Sequence, residues 1–431
     1  MLTALLLLAV STGAAPLSLK EAAALAAAGA PAVERARAGS EAARARGSYA
    51  RSQLGPALFA EVGFLSSDNP VTAFSLALEQ KRFSSEEFFA SDPNSPPFTK
   101  DWAGAVSAAW SIDLFGATRA GARAAEEAAR ASSLESDRMR DAVVFQTIAA
   151  FAEARRAEDA IALLSEREAD AERDVASADA LAAEGLTTRA DPAQARAVLA
   201  EVRAELAGQR SALEGARAAL ATTIGVAAAG RPLEPLPAGS SAPLGEAAAE
   251  RDDVAAAKAA ASAAEESGRA AAASRWPSLV VTGRYEAHAP TPDGRYGNMA
   301  TFFAGVRVPL FASGAIDARV AEARAEARAA GAAAEEAGRA AQSEIARARA
   351  DVAAALAQSA AFQQAESAAS EARRIRQARY DEGAARLTDL LDARAAELRA
   401  RLGVASAGAR AVTASANLRL ALGLSPEGDE R

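Results

Sequence analysis

The chain of 431 residues contains no cysteine, and its formal net charge at pH 7 is −8. Without cysteine it forms no disulfide, performs no thiol chemistry and bears no lipid anchor on a mature N-terminal cysteine, and an acidic balance without a basic, aromatic-containing patch argues against a nucleic-acid partner. Hydrophobic residues make up 50% of the sequence but aromatic residues only 5%, because most apolar side chains are alanine. This composition is typical of long, closely packed helices rather than of a globular core of bulky side chains.

The first residues have the order of a secretory signal peptide. Leu2–Val10 is a short apolar run without a preceding positive residue, and small residues occupy positions 11–15. We therefore predict that residues 1–15 are removed on export. The alternative is an apolar N-terminus that stays on the chain. The rest of the sequence contains no run of about 18 uncharged apolar residues, so we predict no transmembrane helix.

The rest of the chain repeats one unit twice. The anchors that recur in the same order are Pro56 as Pro277, Leu114-Phe115 as Leu310-Phe311, Gly185 as Gly383, and Gly225 as Gly423. We assign residues 16–226 to a first repeat, 227–244 to a proline-rich linker, 245–425 to a second repeat and 426–431 to a C-terminal tail. The first copy has additional residues between its proline and its Leu-Phe pair, and these are rich in turn-forming residues, which predicts a longer loop joining the same two elements.

Each repeat begins with a helix that ends near a proline, over roughly 17–53 and 244–275, and then alternates between apolar and polar residues. Alternation with a period of two predicts a β-hairpin over 56–113 and another over 277–310. Strands of about ten residues are long enough to cross a bilayer when tilted. Four strands cannot close a barrel, and an open edge is not tolerated in lipid, so spanning strands would require several chains to share one barrel. The alternative is a soluble hairpin that packs on the helices.

A very long helix is predicted after each hairpin, over 118–184 and over 315–382, since neither stretch contains proline. Each would extend about 100 Å at 1.5 Å per residue. Apolar residues recur at steps of three and four, which indicates coiled-coil packing. A glycine marks the turn after each long helix, and a second helix then returns.

No enzymatic motif interrupts this pattern. The sequence has no phosphate-binding loop, nucleophile elbow or cluster with metal-ligand spacing. The single histidine, His288, lies on the polar face of a predicted strand. We predict that the protein is not an enzyme and requires no cofactor or resident metal.

The family resemblance rests on these anchors together with two further segments, Glu250–Val254 and Tyr380–Ala393. In this order, on a duplicated chain, they resemble the TolC-like outer-membrane efflux family over nearly the whole mature chain. The resemblance implies a mainly α-helical fold with membrane β-structure: a homotrimer with a twelve-stranded β-barrel in outer-membrane lipid and a long α-helical barrel through the periplasm.

The resemblance also implies function and partners. The chain would be the passive exit duct of a tripartite efflux or type I-like secretion system, opened by a periplasmic adaptor and an inner-membrane pump. A periplasmic adaptor subunit and a structural coiled-coil protein are the alternatives. The tandem copies argue against the adaptor, and the alternating segments argue against the coiled-coil protein.

Members of this family narrow at a periplasmic aperture, and the resemblance carries this role to Asp389 and Asp392. In a trimer they would form a ring of carboxylates that favours cations and can titrate or bind divalent ions. The alternative is a solvated first helical turn, where aspartate is favoured by the helix dipole. Asp191 shows the same choice in the first copy.

The resemblance further implies gate contacts that hold the aperture shut. Tyr380 matches the family's gate tyrosine, and Asp191 is its expected partner. The family's basic gate residue falls on Ala385, so the adjacent Arg386 is the nearest candidate for a basic latch.

Overall fold

The computed structural model describes residues 15–84, 94–237 and 250–428 of the chain. The predicted signal peptide lies outside this part except for Ala15, as do residues 238–244 of the predicted linker and 429–431 of the predicted tail. These assignments stay predictions.

The chain divides into two compact units, which we call the helical unit and the sheet unit. The helical unit comprises Met1–Ser40, Ser133–Ala256 and Glu335–Arg431. The sheet unit comprises Glu41–Ser132 and Ala257–Ala334.

The described elements follow one order twice. The first copy contains α1 (Leu19–Gly29), α2 (Pro31–Ser52), β1 (Ala57–Ser67), α3 (Pro70–Glu79), β2 (Thr99–Ile112), α4 (Ala117–Ala183), α5 (Ala190–Ile224) and the short α6 (Val226–Ala229). The second contains α7 (Asp252–Ala273), β3 (Ser278–Ala289), β4 (Gly297–Arg307), α8 (Ala315–Asp381) and α9 (Leu387–Ala421). The fold is therefore mainly helical with one small antiparallel sheet.

The long helices agree with the sequence expectation to within a residue. Helices α4 and α8 each have 67 residues, and α5 and α9 each have 35. The turn after each long helix needs a left-handed residue, which glycine adopts without steric penalty. Gly185 and Gly383 have φ angles of 74° and 73°. In each turn, the next residue's N–H donates to a carbonyl five residues earlier (Leu186 to Leu181 O, 2.9 Å; Ala384 to Arg379 O, 2.8 Å), which closes the helix end.

The prediction of one opening helix over 17–53 was wrong, because the chain forms two helices there. Ser18 begins α1 by accepting the Glu21 N–H on its Oγ. Proline disfavours helical backbone in the residue before it, and Ala30 is accordingly extended, with φ −66° and ψ 132°. Pro31 then occupies the first position of α2, where its missing N–H has no helical partner to lose. The second opening helix is α7, which starts at Asp252.

The extra segment of the first hairpin is more than the predicted loop, because it contains the ten-residue α3. Asn69 and Pro70, which read as turn residues in the sequence, are the start of this helix. Asn69 Oδ1 accepts the N–H groups of Val71 and Thr72, at 3.0 and 3.2 Å, and Pro70 lies in the first turn.

The four strands form one antiparallel sheet in the order β1-β2-β3-β4. The hairpins of the two copies join where β2 pairs with β3, from Trp102 opposite Ala289 to Ile112 opposite Leu279. Because paired residues lie on the same side of a sheet, the registers place the alternating apolar residues of all four strands on one face. This apolar face includes Leu58, Val62, Phe64, Trp102, Val106, Trp110, Val281, Tyr285, Phe302 and Val306.

The opposite side of the sheet, which we call the polar face, carries its charged residues. Arg284 pairs with Glu61 at 3.0 Å and with Glu286 at 2.8 Å. The polar face also contains aromatic residues near both sheet edges, Phe59 on β1 and Phe303 on β4. Alternation is therefore clearest in the central strands.

The core of the helical unit lies where α1, α4 and α5 meet. Phe151 and Leu220 are fully buried there, beside Ala22 and Ala154. Burying a large apolar side chain contributes about 1.5–3 kcal/mol, and the neighbouring alanines let the helices approach closely. Leu17, just before α1, forms a parallel bridge with Leu233, which lies within the predicted linker. That part of the linker is extended, whereas its first residues, 227–229, belong to α6.

Among the residues that the structure describes, no helix is both long enough and apolar enough to span a membrane.

Candidate aperture site and gate contacts

The candidate site lies in the helical unit at the turns of two helical hairpins. Asp191 lies in the first turn of α5, next to the turn between α4 and α5. The turn between α8 and α9 is bordered by Tyr380, Arg386, Asp389 and Asp392. The structure orients these residues through the first turns of α9, where Leu387, Leu390 and Leu391 are all buried. Asp389 and Asp392 are three residues apart and therefore lie together on one side of α9, away from these leucines.

The two candidate aperture carboxylates have different surroundings. Asp389 Oδ2 accepts the backbone N–H of Arg386 at 3.4 Å, which is a helix-capping contact. It also lies 3.7 Å from Arg376 Nη1, with both side chains nearly half exposed. Asp392 is exposed. Capping thus explains part of the choice of aspartate at 389, whereas Asp392 is available to solvent; the aperture role of both stays a prediction.

Tyr380 and Asp191 are both half-buried near the turns. The Tyr380 side chain packs on a cluster of Ala178, Ala195, Leu387 and Leu391, and so touches α4, α5 and α9. The Asp191 carboxylate accepts the hydroxyl of Thr187 on its own turn. In the described ranges no hydrogen bond joins Tyr380 to Asp191. Their pairing stays a prediction.

Arg386 is exposed, and its backbone N–H donates to the capping carboxylate of Asp389. A basic contact between the two hairpins is supplied instead by Arg394. Its guanidinium pairs with Asp174 of α4, and its Nη2 donates to Gln377 Oε1 of α8 at 2.5 Å. Asp174 also lies 3.3 Å from Arg167 Nη1.

This ion cluster is buried. The side chains of Arg167, Asp174 and Arg394 are 6%, 9% and 14% exposed. A buried carboxylate needs charged or hydrogen-bonding partners to offset its lost hydration. Removing Arg394 would leave Asp174 with only its longer contact to Arg167.

Arg394 belongs to a regular seam along α9. The residues of this seam that contact α4 and α5 are Leu387, Leu391, Arg394, Leu398 and Arg401. They are spaced by four and three residues in alternation, which is the spacing of a coiled-coil interface. A polar residue within such an interface fixes which residues face each other, at the expense of stability. Arg394 is the buried polar residue of this seam.

Sequence reasoning missed Arg394 and Asp174 as a pair. The repeat does align Arg394 with Arg196, but Arg196 pairs with the exposed Asp179 of its own hairpin at 2.6 Å. The position equivalent to Asp174 in the second copy is Ala372. The sequence therefore shows an arginine at a seam position of α9, but nothing near it in the sequence indicates that Asp174 is its partner.

A separate ion cluster lies where α7 begins. Arg251 is 6% exposed and pairs with Asp253 Oδ2 at 2.6 Å and with Glu344 Oε2 of α8 at 2.8 Å. Arg138 of α4 donates to the Leu420 carbonyl near the end of α9 at 2.8 Å. Burial alone would raise the pKa of the Asp253 carboxyl, but the hydrogen bond from Arg251 and the charge of Arg138 hold that pKa below its ordinary value.

Within the described ranges, no group of three or more histidine, aspartate or glutamate side chains has the arrangement of a metal site. Neither cluster offers the constellation of a nucleophile, a base and an oxyanion site that covalent catalysis requires.

Comparison with known proteins identifies the family of this chain. Residues 22–226 and 244–424 match the family described as outer membrane efflux protein. The chain belongs to the outer membrane efflux protein family. It is a TolC-like efflux channel of the outer membrane, and members of the family are channels that act with adaptors and pumps and are not, in general, enzymes.

Solved structures share the fold. The Vibrio cholerae outer membrane protein VceC is 23% identical, with a TM-score of 0.78 over 94% of this chain and 96% of that one. The Campylobacter jejuni CmeC outer membrane channel is 19% identical, with a TM-score of 0.80 over 96% and 86%. The open state of the Neisseria gonorrhoeae MtrE outer membrane channel is 24% identical, with a TM-score of 0.78 over 96% and 90%. A comparison with curated protein sequences found no match.

Proposed function

We propose that this chain is the passive exit duct of a tripartite efflux or type I-like secretion system. Three copies join, their sheets close one twelve-stranded barrel in the outer membrane, and their helical hairpins form a helical barrel in the periplasm. A periplasmic adaptor opens the duct, and an inner-membrane pump supplies the energy. The substrate class is set by that pump.

The observation that carries this proposal is the sheet with one apolar face and two free edges. Within the described part of the chain, β1 and β4 each pair with one neighbour only. A free edge leaves backbone N–H and C=O groups unpaired, which lipid does not tolerate. Pairing of β4 in one copy with β1 in the next satisfies both edges. The apolar face then meets lipid, and the polar face lines the passage.

We propose that opening separates the second hairpin from the first along the α9 seam. The apolar contacts of Leu387, Leu391 and Leu398 resist separation, and the buried pairing of Arg394 with Asp174 restores one register on closing. Asp389 and Asp392 would then ring the aperture at the end of this seam, with Tyr380 packed behind them.

Conductance in planar bilayers tests this gate. Arg394→Gln removes the guanidinium that joins α9 to Asp174, so the resting conductance of the reconstituted channel is expected to rise severalfold. Arg401→Gln is the matched control, because the pair of Arg401 with Glu166 lies on the same seam but is 37% and 60% exposed. Exposed pairs contribute little, and this control should conduct like the parent protein.

A second arm locks the same contact. Because the native chain has no cysteine, Asp174→Cys combined with Arg394→Cys places one pair of thiols across the seam. Joining the two thiols with a short, cleavable bifunctional thiol reagent should hold conductance at the resting level in the presence of adaptor, and cleaving the reagent should release it. Equal resting conductance in Arg394→Gln and the parent protein would remove the seam from the gating account.

A further inference from the structure

The helix α3 packs on the polar face of the sheet. Its C-terminal residue is followed by Gln80, whose side-chain amide donates to the Lys100 carbonyl and to Asp101 Oδ1, both at 2.8 Å. The β2–β3 register places Asp101 on the polar face with His288 and Glu286. The apolar side of α3 formed by Ala73 and Leu76 is buried.

The contact between α3 and the sheet is built around a buried polar cluster, which we call the clasp: Gln80, Asp101 and His288. Their exposures are 2%, 2% and 8%. His288 Nδ1 lies 2.8 Å from Asp101 Oδ2 and 3.7 Å from Glu79 Oε2. Both oxygens of the Asp101 carboxylate are therefore held, which is the condition for keeping a carboxylate buried.

The end of α3 also fits directly against β4. A Cβ at Gly297 would collide with the Glu79 carbonyl oxygen and come within 2.7 Å of Gln80 C. Beside this contact, Lys81 Nζ donates to Asn298 Oδ1 at 3.0 Å. Lys81 has a φ of 53°, a strained conformation for a residue with a side chain. Such strain persists where surrounding contacts hold the chain in place.

The clasp lies at one end of the sheet, and the helix connections leave from the other. Asp101 is near the start of β2 and His288 near the end of β3, whereas Ile112 pairs with Leu279 where β2 runs on to α4 and β3 follows α7. The side of α3 turned away from the sheet is apolar: Val71 is 78% exposed, Leu78 48% and Phe74 43%.

We infer that α3 is a second constriction of the duct, folded over the passage side of the sheet at its outer mouth and held there by the clasp. The inference rests on the proposed function, in which the polar face lines the passage. Three copies would place three α3 helices inside the mouth, with Val71, Phe74 and Leu78 directed away from the wall. The mouth would then have an apolar rim above a polar wall, and would admit cargo only as wide as the space between these helices.

Labelling of single cysteines from outside intact cells tests the inference, since the native chain has none. Ser107→Cys places a thiol on the polar face beyond the clasp, opposite Phe59 and Arg284. A bulky, membrane-impermeant maleimide is expected to label it slowly in the otherwise native chain. Adding Gly297→Ala should speed this labelling about tenfold, because the new methyl group displaces the end of α3 and a disrupted buried contact shifts an open–closed equilibrium by about that factor.

Matched variants keep the test decisive. Gly63→Ala is the control, since Gly63 lies on the same face and a Cβ added there would meet nothing within 4 Å, so this variant should leave the rate unchanged. Gln80→Ala loosens the clasp without a steric clash and should also speed labelling, so that misfolding of Gly297→Ala would not decide the outcome. Equal labelling of Ser107→Cys with the clasp intact and loosened would overturn the inference.

A further thiol separates this failure from failure of the proposed function. Ala108→Cys lies on the apolar face of the same strand, which should be covered by lipid. If Ala108→Cys reacts as readily as Ser107→Cys, the sheet is not the wall of a duct, and both the inference and the proposed function fail. If only Ser107→Cys reacts but loosening the clasp has no effect, the wall stands and α3 is not a constriction.

Discussion

At the scale of single residues, Asp389 and Asp392 combine local and collective roles. Asp389 caps the turn before α9, so a helix would favour it without any aperture. Asp392 makes no such cap and is exposed. The repeated carboxylate in a trimer, rather than either contact within one chain, would give the aperture its charge.

Replacing both residues, as Asp389→Asn with Asp392→Asn, should weaken cation selectivity, because neutral amides do not attract cations as a carboxylate ring does. Reversal potentials in planar bilayers under a salt gradient measure the change. Asp179→Asn is the control, since Asp179 is an exposed carboxylate of the first hairpin. Selectivity that survives the double substitution would show that the ring is not at these positions.

Asp253 predicts how the helical unit responds to acid. Its pKa is lower in the folded chain than its ordinary value, so its ionised form stabilises the fold. That contribution is fully present above the ordinary aspartate pKa of about 4 and is lost as the pH falls through the lower, folded value.

Asp253→Asn should therefore reduce the loss of thermal stability between pH 5 and the acid range, roughly pH 2. Melting of the detergent-solubilised protein, followed by circular dichroism over this range, is the measurement. Asp351→Asn, at an exposed position of α8, should keep the slope of the parent protein. An unchanged slope in Asp253→Asn would mean that other groups dominate acid unfolding.

At the scale of elements, the packing of α9 on α8 makes two glycines unequal. A Cβ at Gly403 would collide with the ring of Phe362 and lie 2.9 Å from its Cγ, whereas Gly408 has nothing within 4 Å. Both glycines are inside the same helix, where alanine is favoured over glycine by about 1 kcal/mol.

Gly408→Ala should therefore raise the melting temperature, with a gain of roughly 0.5–1 kcal/mol per chain. Gly403→Ala should gain less than Gly408→Ala or lose stability, since the Phe362 ring, which is 38% exposed, must shift to make room for the new methyl group. Thermal melts of the two variants provide the comparison. Equal stabilisation by both would show that Phe362 relaxes freely.

Elements differ in how well the sequence predicts them. Helices α4 and α8 were predictable because proline is absent over more than sixty residues and a glycine must follow each helix in left-handed conformation. The strands were predictable because alternation places one apolar face on the sheet. The break at Pro31 was missed because a proline in a helical pattern has two meanings. It either kinks one continuous helix or occupies the first turn of a new helix, and the sequence alone does not distinguish them.

Contacts that join distant segments were not predictable. Asn followed by proline, as at Asn69-Pro70, is favoured both in turns and at the start of a helix. Only the packing of α3 on β4 shows which of the two forms here. Arg394 and Asp174 are 220 residues apart, and no local pattern links them. In the candidate site, the sequence repeat was enough to place the residues near the turns. The ion pair between the two hairpins could be found only from the packing of the helices.

At the scale of the whole molecule, one chain leaves two features incomplete. The sheet of one copy has an apolar face and two free edges, and the second hairpin carries a carboxylate pair that gains its effect by repetition. In the proposed trimer, each copy would pair its sheet edges with those of its neighbours, and three carboxylate pairs would surround one axis. The gate, the aperture and the constriction at α3 all depend on that assembly.

Native mass spectrometry of the protein extracted from outer membranes in mild detergent tests this assembly most directly. The account predicts one dominant species with three times the mass of the mature chain, and this species should persist at high dilution because strand pairing closes all edges. A monomer that keeps the sheet signal in circular dichroism would contradict the account, since its free edges would then be stable without partners.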